Sequence, residues 1–321
     1  MRKFGFLFGV AIVFSQVVFA ESENPLDFKI EFDKVVLIKA RDKDQYDWLY
    51  YIGSNIDRST PVTIFVTGLN GNKISDDYTI ISEETKKLFN SRTKDYSNAK
   101  LVYVCPIIPR NSTNYTVSLN RLSVSLKNGR YYRPDLKLND IIDTFRVMLE
   151  KEEYKTNQKI ILEGFSAGGM FAQRYSLIHP EKVKCIIVGQ AGGHLVLPIV
   201  EIKNKKAKWP VGIYDFERIF NKKFNFEEYK LIKQRIYIGT LDTNNSTVKT
   251  GNNDVFTDFE ISLLKKVYGG DDPIRLKNET ELLVSLGCDV EFKLYENTPH
   301  RPTLLTVFDN RKYIEKNLRE E

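Results

Sequence analysis

Short apolar runs recur along the chain, separated by stretches whose apolar positions fall three and four residues apart. Val62–Val66, Leu101–Cys105, Lys159–Glu163, Val183–Gly189, Arg235–Gly239 and Val290–Tyr295 are rich in β-branched and aliphatic residues. They are too short for core helices and read as strands, and Lys159–Glu163 is a run of the kind that forms a buried parallel strand. Between two of them, Leu138, Ile141, Ile142, Phe145 and Leu149 fall on one face of a helix at the 3.6-residue period. Further helices are expected over Ser82–Leu88, Gly169–Ile178, Phe259–Val267, Glu279–Leu286 and Thr303–Leu318. Phe28–Ile38 and Trp48–Ile52 read as an antiparallel opening pair. Strands alternating with helices predict an α/β fold, a mostly parallel, doubly wound sheet flanked by helices with right-handed crossovers. The segment 193–230 breaks the alternation. It is aromatic-rich, has no evident sheet role, and is expected to form a small cap or lid.

The first 20 residues follow another logic. Arg2 and Lys3 precede the apolar run Phe4–Phe14, and Val18-Phe19-Ala20 offers small residues at a cleavage site. This is the pattern of a secretory signal peptide cleaved after Ala20, giving a secreted or periplasmic protein. The run is too short for a stable membrane span. Residues 21–321 are then long enough for one large α/β domain.

Charge and cysteine usage narrow the classes. The whole chain carries 48 basic and 42 acidic residues, a mild and dispersed excess with no nucleic-acid-binding signature. The densest basic stretch, Lys203, Lys205, Lys206 and Lys208, reads as a solvated loop. Three cysteines, Cys105, Cys185 and Cys288, make no disulfide scaffold, and with three histidines they form no metal-ligand spacing.

The chemistry gathers at Gly164-Phe165-Ser166-Ala167-Gly168. A strand before it and a helix after it are the setting of a nucleophile elbow, which holds a serine hydroxyl exposed on a strained turn. A serine needs a base, and the base needs an orienting acid. His179 stands at the far end of the elbow helix and is expected at the surface. His194 follows the next strand, and His300 follows the last one, on a loop that can return over Ser166; His300 is the preferred base. Asp242 leaves the intervening strand and is the preferred acid, ahead of Asp254 and Asp258. The order Ser166, Asp242, His300 matches the triad order of one hydrolase architecture. Ala167 N–H and an N–H of the Gly68-Leu69-Asn70-Gly71 turn, assigned to Leu69, are the candidate oxyanion donors. Tyr131 and the aromatics Trp209 and Phe216 are the candidate substrate-binding residues.

On Thr67-Gly68-Leu69-Asn70-Gly71, Gly164-Phe165-Ser166-Ala167-Gly168-Gly169-Met170, Asp242-Thr243-Asn244 and Pro299-His300, the chain resembles the α/β-hydrolase superfamily over nearly all its length after residue 20. Within it the chain looks most like secreted esterases of the polyhydroxybutyrate-depolymerase and feruloyl-esterase type. The resemblance implies a cofactor-free serine hydrolase acting on a small-molecule or polymeric ester, with Ser166 as nucleophile, His300 as base and Asp242 as orienting acid. Thr67 departs from the histidine common before the oxyanion glycine. A serine peptidase of the same fold and a non-catalytic binding protein are the competing readings.

Overall fold

The computed structural model describes residues 18–20, 29–67, 78–95, 98, 100–108, 119–191, 194–243 and 256–319. The chain opens with β1 (Val18–Ala20), β2 (Val35–Ile38), β3 (Trp48–Tyr51) and β4 (Thr63–Val66). Then follow α1 (Tyr78–Asp95), β5 (Leu101–Pro106), α2 (Arg121–Ser125), α3 (Pro134–Lys151), β6 (Ile160–Phe165), α4 (Ala167–Ile178) and β7 (Val183–Gly189). A small ribbon of β8 (Glu201–Ile202) and β9 (Lys205–Lys206) precedes the short helices α5 (Phe216–Phe220) and α6 (Phe226–Lys230). The chain closes with β10 (Lys233–Gly239), α7 (Asp258–Tyr268), α8 (Asp272–Ser285), β11 (Val290–Tyr295) and α9 (Leu304–Arg319).

One sheet runs in the order β1-β2-β3-β5-β4-β6-β7-β10-β11. It is parallel except at β3, which pairs antiparallel with β2 and with β5. The expected parallel, helix-flanked sheet is therefore what forms, and the expected opening pair is its antiparallel edge. Side chains alternate across the sheet. Ile160 and Leu162 of β6 face a core shared with Leu138, Phe145, Phe171 and Tyr175 of α3 and α4. Ile161, between them, faces Phe65, Phe89 of α1, and Tyr313 and Ile314 of α9. Because helices cover both faces, the strands can be apolar along their length. All three cysteines are buried and none is joined to another in a disulfide. Burial pushes the Cys185 thiol up to about 12 and the Cys288 thiol up to about 11. Among the described residues, no helix is long and apolar enough to cross a membrane.

Several helices extend past the expected bounds. The apolar stripe that marks Glu279–Leu286 misses residues 272–278, about the first two turns of α8, where Pro273 and an acidic residue, Asp272, suit a helix start. The start of α7 is fixed by a capping box in which Thr257 and Glu260 satisfy each other's backbone N–H groups.

The segment 194–230 serves as the crossover between β7 and β10, which pair in parallel. It packs against α4, where the Gln173 amide donates to Val196 O at 2.8 Å and accepts from Val196 N–H at 3.2 Å. It then descends to the start of the strands. Lys222 lies 3.6 Å from Glu181, beside the first residues of β7, and Lys159, just before β6, bonds Glu228 at 2.9 Å. Along the way Trp209, Phe216, Phe220, Phe224 and Tyr229 pack ring against ring. Trp209 is fully buried and Phe216 is 2% exposed. The Trp209 indole N–H donates to Leu119 O at 2.9 Å, and Arg121 Nε donates to Trp209 O at 2.8 Å. This corrects the expectation that Trp209 and Phe216 form an apolar wall open to substrate. Where a single long helix would cover the sheet, this irregular segment must supply its own core, and the aromatics supply it.

Candidate active site

Ser166 stands between β6 and α4 with φ 57° and ψ −123°, a left-handed-side backbone rarely adopted by a non-glycine residue. The turn is held by Ser166 N–H donating to Gly189 O at 2.8 Å. It also requires Gly164, where a Cβ would stand 2.0 Å from the carbonyl oxygen of Gly168. Below the turn, buried Glu163 accepts from Thr67 Oγ1 at 3.2 Å and from Asn310 Nδ2 at 3.0 Å. Arg92 lies 3.8 Å away. Thr67 thereby ties the end of β4 to the elbow strand. Neither Glu163 nor Asn310 is marked by motif or period, since a buried carboxylate inside an apolar strand looks like any polar interruption.

Two loops bring the other candidates to Ser166. His300 Nε2 lies 3.0 Å from Ser166 Oγ, and His300 Nδ1 lies 3.0 and 2.9 Å from the two oxygens of Asp242. The carboxylate can only accept, so the proton sits on Nδ1 and the Nε2 lone pair faces the serine hydroxyl. Asp242 is 6% exposed as a residue, and the His300 side chain keeps 22% of its surface. The Phe165 ring packs on the imidazole at 5.0 Å.

The loops are zipped together by backbone. Leu241 N–H donates to Thr298 O at 3.1 Å, and Thr240 N–H donates to Tyr295 O at 2.9 Å. Asn297 N–H donates to Thr240 Oγ1 at 2.9 Å, and the Gln190 amide donates to Pro299 O at 3.1 Å. None of Thr240, Gln190 or Thr298 carries a sequence signal, because each acts through contacts distant in the chain.

The other candidates fare differently. His194 is buried, with Nε2 donating to Val211 O at 3.1 Å and Nδ1 2.5 Å from Glu279 Oε1. Both of its ring nitrogens are engaged away from Ser166. His179 is 6% exposed, which corrects its expected surface position: it caps α4 and bonds Asp135 Oδ2 at 2.9 Å. Burial raises the Asp135 carboxyl, but bonds from Arg133 and His179 outweigh this and hold it below the usual range. Asp258 begins α7 on the exposed surface, and Asp254 lies outside the described residues. So does Leu69. Ala167 is the first residue of α4, where N–H groups have no partner within the helix. Tyr131 is half-buried in the turn before α3; the neighbouring Arg130 bonds Lys43 O at 2.8 Å and tethers that turn to the β2–β3 hairpin.

Asp272 carries a further electrostatic feature. Burial chiefly raises its carboxyl to about 6; the carboxylates of Asp242 and Glu279 add to this, and Arg275 opposes it. Among the described residues, no group of three or more His, Cys, Asp or Glu side chains could hold a metal ion. Chemically, the arrangement of Ser166, His300 and Asp242 can move a proton from a hydroxyl to an imidazole whose other face is held by a buried carboxylate.

No family model and no curated protein sequence matches this chain. Among solved structures, it is similar to poly(aspartic acid) hydrolase-1 from Sphingomonas sp. KT-1, at 16% identity over 84% of this chain and 92% of that one, with a TM-score of 0.51. It is also similar to a poly(3-hydroxybutyrate) depolymerase from Bordetella parapertussis, at 13% identity over 83% of each chain and a TM-score of 0.49. Esterase 2 from Thermogutta terrifontis matches at 12% identity over 91% of this chain and 96% of that one, with a TM-score of 0.48. The chain has the α/β-hydrolase fold.

Proposed function

We propose that this protein is a serine hydrolase acting on carboxylic esters through an acyl-enzyme on Ser166. The observation that carries the reading is the 3.0 Å approach of His300 Nε2 to Ser166 Oγ while Nδ1 faces Asp242. In the first step the Ser166 hydroxyl proton passes to Nε2 and Oγ attacks the ester carbonyl carbon. The Ala167 N–H, with a second donor from the Gly68–Gly71 turn assigned to Leu69, stabilises the oxyanion. Collapse expels the alcohol, which takes the proton from Nε2. Water then attacks the acyl-serine, again giving its proton to Nε2, and the acid leaves with Oγ reprotonated. Asp242 keeps the imidazole in the required tautomer and stabilises its charged form.

Fluorophosphonate labelling tests the reading: covalent modification of the wild type, abolished in Ser166→Ala, supports a serine hydrolase, and no labelling supports a non-catalytic binder. A matched panel of esters and peptides then separates esterase from peptidase. The peptidase reading keeps a place because the solved structure with the highest TM-score reported above is named for hydrolysis of poly(aspartic acid), a polyamide.

Export belongs to the same proposal, on the Arg2-Lys3 start, the Phe4–Phe14 run and Val18-Phe19-Ala20. Cleavage after Ala20 removes β1, which adds only three residue pairs to β2 at the sheet edge. N-terminal sequencing of protein from its native host reads the cleavage site directly.

A further inference from the structure

The outward side of α9 carries chemistry that the triad does not use. Leu304, Leu305 and Phe308 are 91%, 57% and 52% exposed, on a helix whose inward face is buried through Tyr313, Ile314 and Leu318. At spacings of one, three and four residues they form a single apolar patch at the helix start. Leu241, 54% exposed, extends the apolar surface around the triad loops, tied to them by its bond to Thr298 O. Adjacent large apolar residues left in water at this level mark a contact surface rather than scattered exposure.

Further along the same outward stripe stand Lys312 and Lys316. With Lys293 of β11 they line a cleft of about 270 Å³ that also includes Arg235, Glu291 and Asp309. The two acids are engaged by Arg235, through a contact to Glu291 and a 3.6 Å approach to Asp309. Among the described residues, Lys293, Lys312 and Lys316 form no ion pair with an acidic side chain. Lys312 Nζ lies 4.3 Å from the Phe308 ring centroid, so the basic cleft and the apolar patch are continuous.

We propose that this face of α9 docks on an anionic phospholipid surface, with Leu304, Leu305 and Phe308 entering the interface and the three lysines taking headgroup phosphates. An apolar patch bordered by lysines on one exposed helix face is the chemistry of an interfacial helix, and charge complementarity selects an anionic leaflet. A second copy of the chain, equally basic here, leaves the lysine charge uncompensated. Docking in this orientation sets His300, four residues before Leu304, close to the lipid surface. The binding itself does not depend on catalysis and is measured on Ser166→Ala protein as well.

The test is co-sedimentation with vesicles of phosphatidylcholine alone or containing phosphatidylglycerol. Binding to the mixed vesicles only, weakened by salt, is expected. A Leu304→Ser/Leu305→Ser/Phe308→Ser variant should lose more than about tenfold in affinity. A Lys293→Gln/Lys312→Gln/Lys316→Gln variant should lose about a hundredfold. All six positions are exposed, and unchanged thermal melting verifies that each variant is folded. Absence of binding, equal binding to phosphatidylcholine alone, or full binding by either variant overturns the proposal. So does a concentration-dependent dimer in sedimentation that the apolar variant abolishes, which would make the face a self-association surface.

Discussion

Gly239 and Thr298 are in direct backbone contact: a Cβ at 239 would stand 1.9 Å from the Thr298 carbonyl oxygen. Gly239 ends the strand that leads to Asp242, and Thr298 stands two residues before His300. Their approach sets the spacing of the acid and the base. In Gly239→Ala the two loops must separate, moving Nδ1 off the Asp242 carboxylate. Displacements of about 1 Å in such an arrangement cost about a hundredfold. Turnover should therefore fall by at least that factor while Ser166 still reacts slowly with a fluorophosphonate. Ester kinetics near wild-type rates would show that the loops tolerate the shift.

Ser166→Ala and His300→Ala should each reduce kcat by several orders of magnitude, and the double variant should be little worse than either. A proton acceptor and a nucleophile that function as one unit cannot be removed twice. Additive losses in the double variant would mean that the two side chains act separately.

Trp209 offers a contrast between packing and substrate contact. Fully buried and bonded to Leu119, it should behave as a core residue. Trp209→Ala should cost about 3–5 kcal/mol of stability, seen as a lowered Tm. The ratio of rates on short-chain and long-chain esters should stay constant. A selective loss on long acyl chains would return Trp209 to the substrate wall.

Asp272 should make stability depend on pH. Its folded value of about 6 exceeds the unfolded 3.8, so the neutral carboxyl is favoured by folding. That contribution is full below about 3.8 and is lost as pH rises through about 6. Asp272→Asn holds the site neutral and retains an oxygen for Arg275. Its Tm relative to wild type should rise between pH 4 and pH 7. A constant difference across that range would show that Asp272 is ionised throughout.

Much of the frame was legible because local rules suffice for it. β7 falls where its apolar run ends, since a strand buried on both faces has no polar face to blur its limits, whereas β11 is the sheet's edge strand and leaves Glu291 and Lys293 exposed. Ser166, Asp242 and His300 were each legible as residues leaving β6, β10 and β11, parallel strands of one sheet whose connections begin at the same edge. The turn at Ser166 was legible too, because glycines two residues to either side of a serine, between an apolar strand and a helix, leave the room that a tight strand-to-helix turn needs.

What the tertiary structure decided lies in contacts between residues far apart in sequence. The same aromatic side chains at 209 and 216 could wall a pocket or fill a core, and only the path of the β7–β10 crossover turned them inward. His179 looked like a surface residue at a helix end, yet α3 brings Asp135 onto it and buries both. Glu163, Gln190 and Gly239 carry no local pattern because their partners, Asn310 of α9 and Pro299 and Thr298 of the loop after β11, arrive from elsewhere in the chain. Periodicity records which face of an element is buried; it holds no record of what buries it.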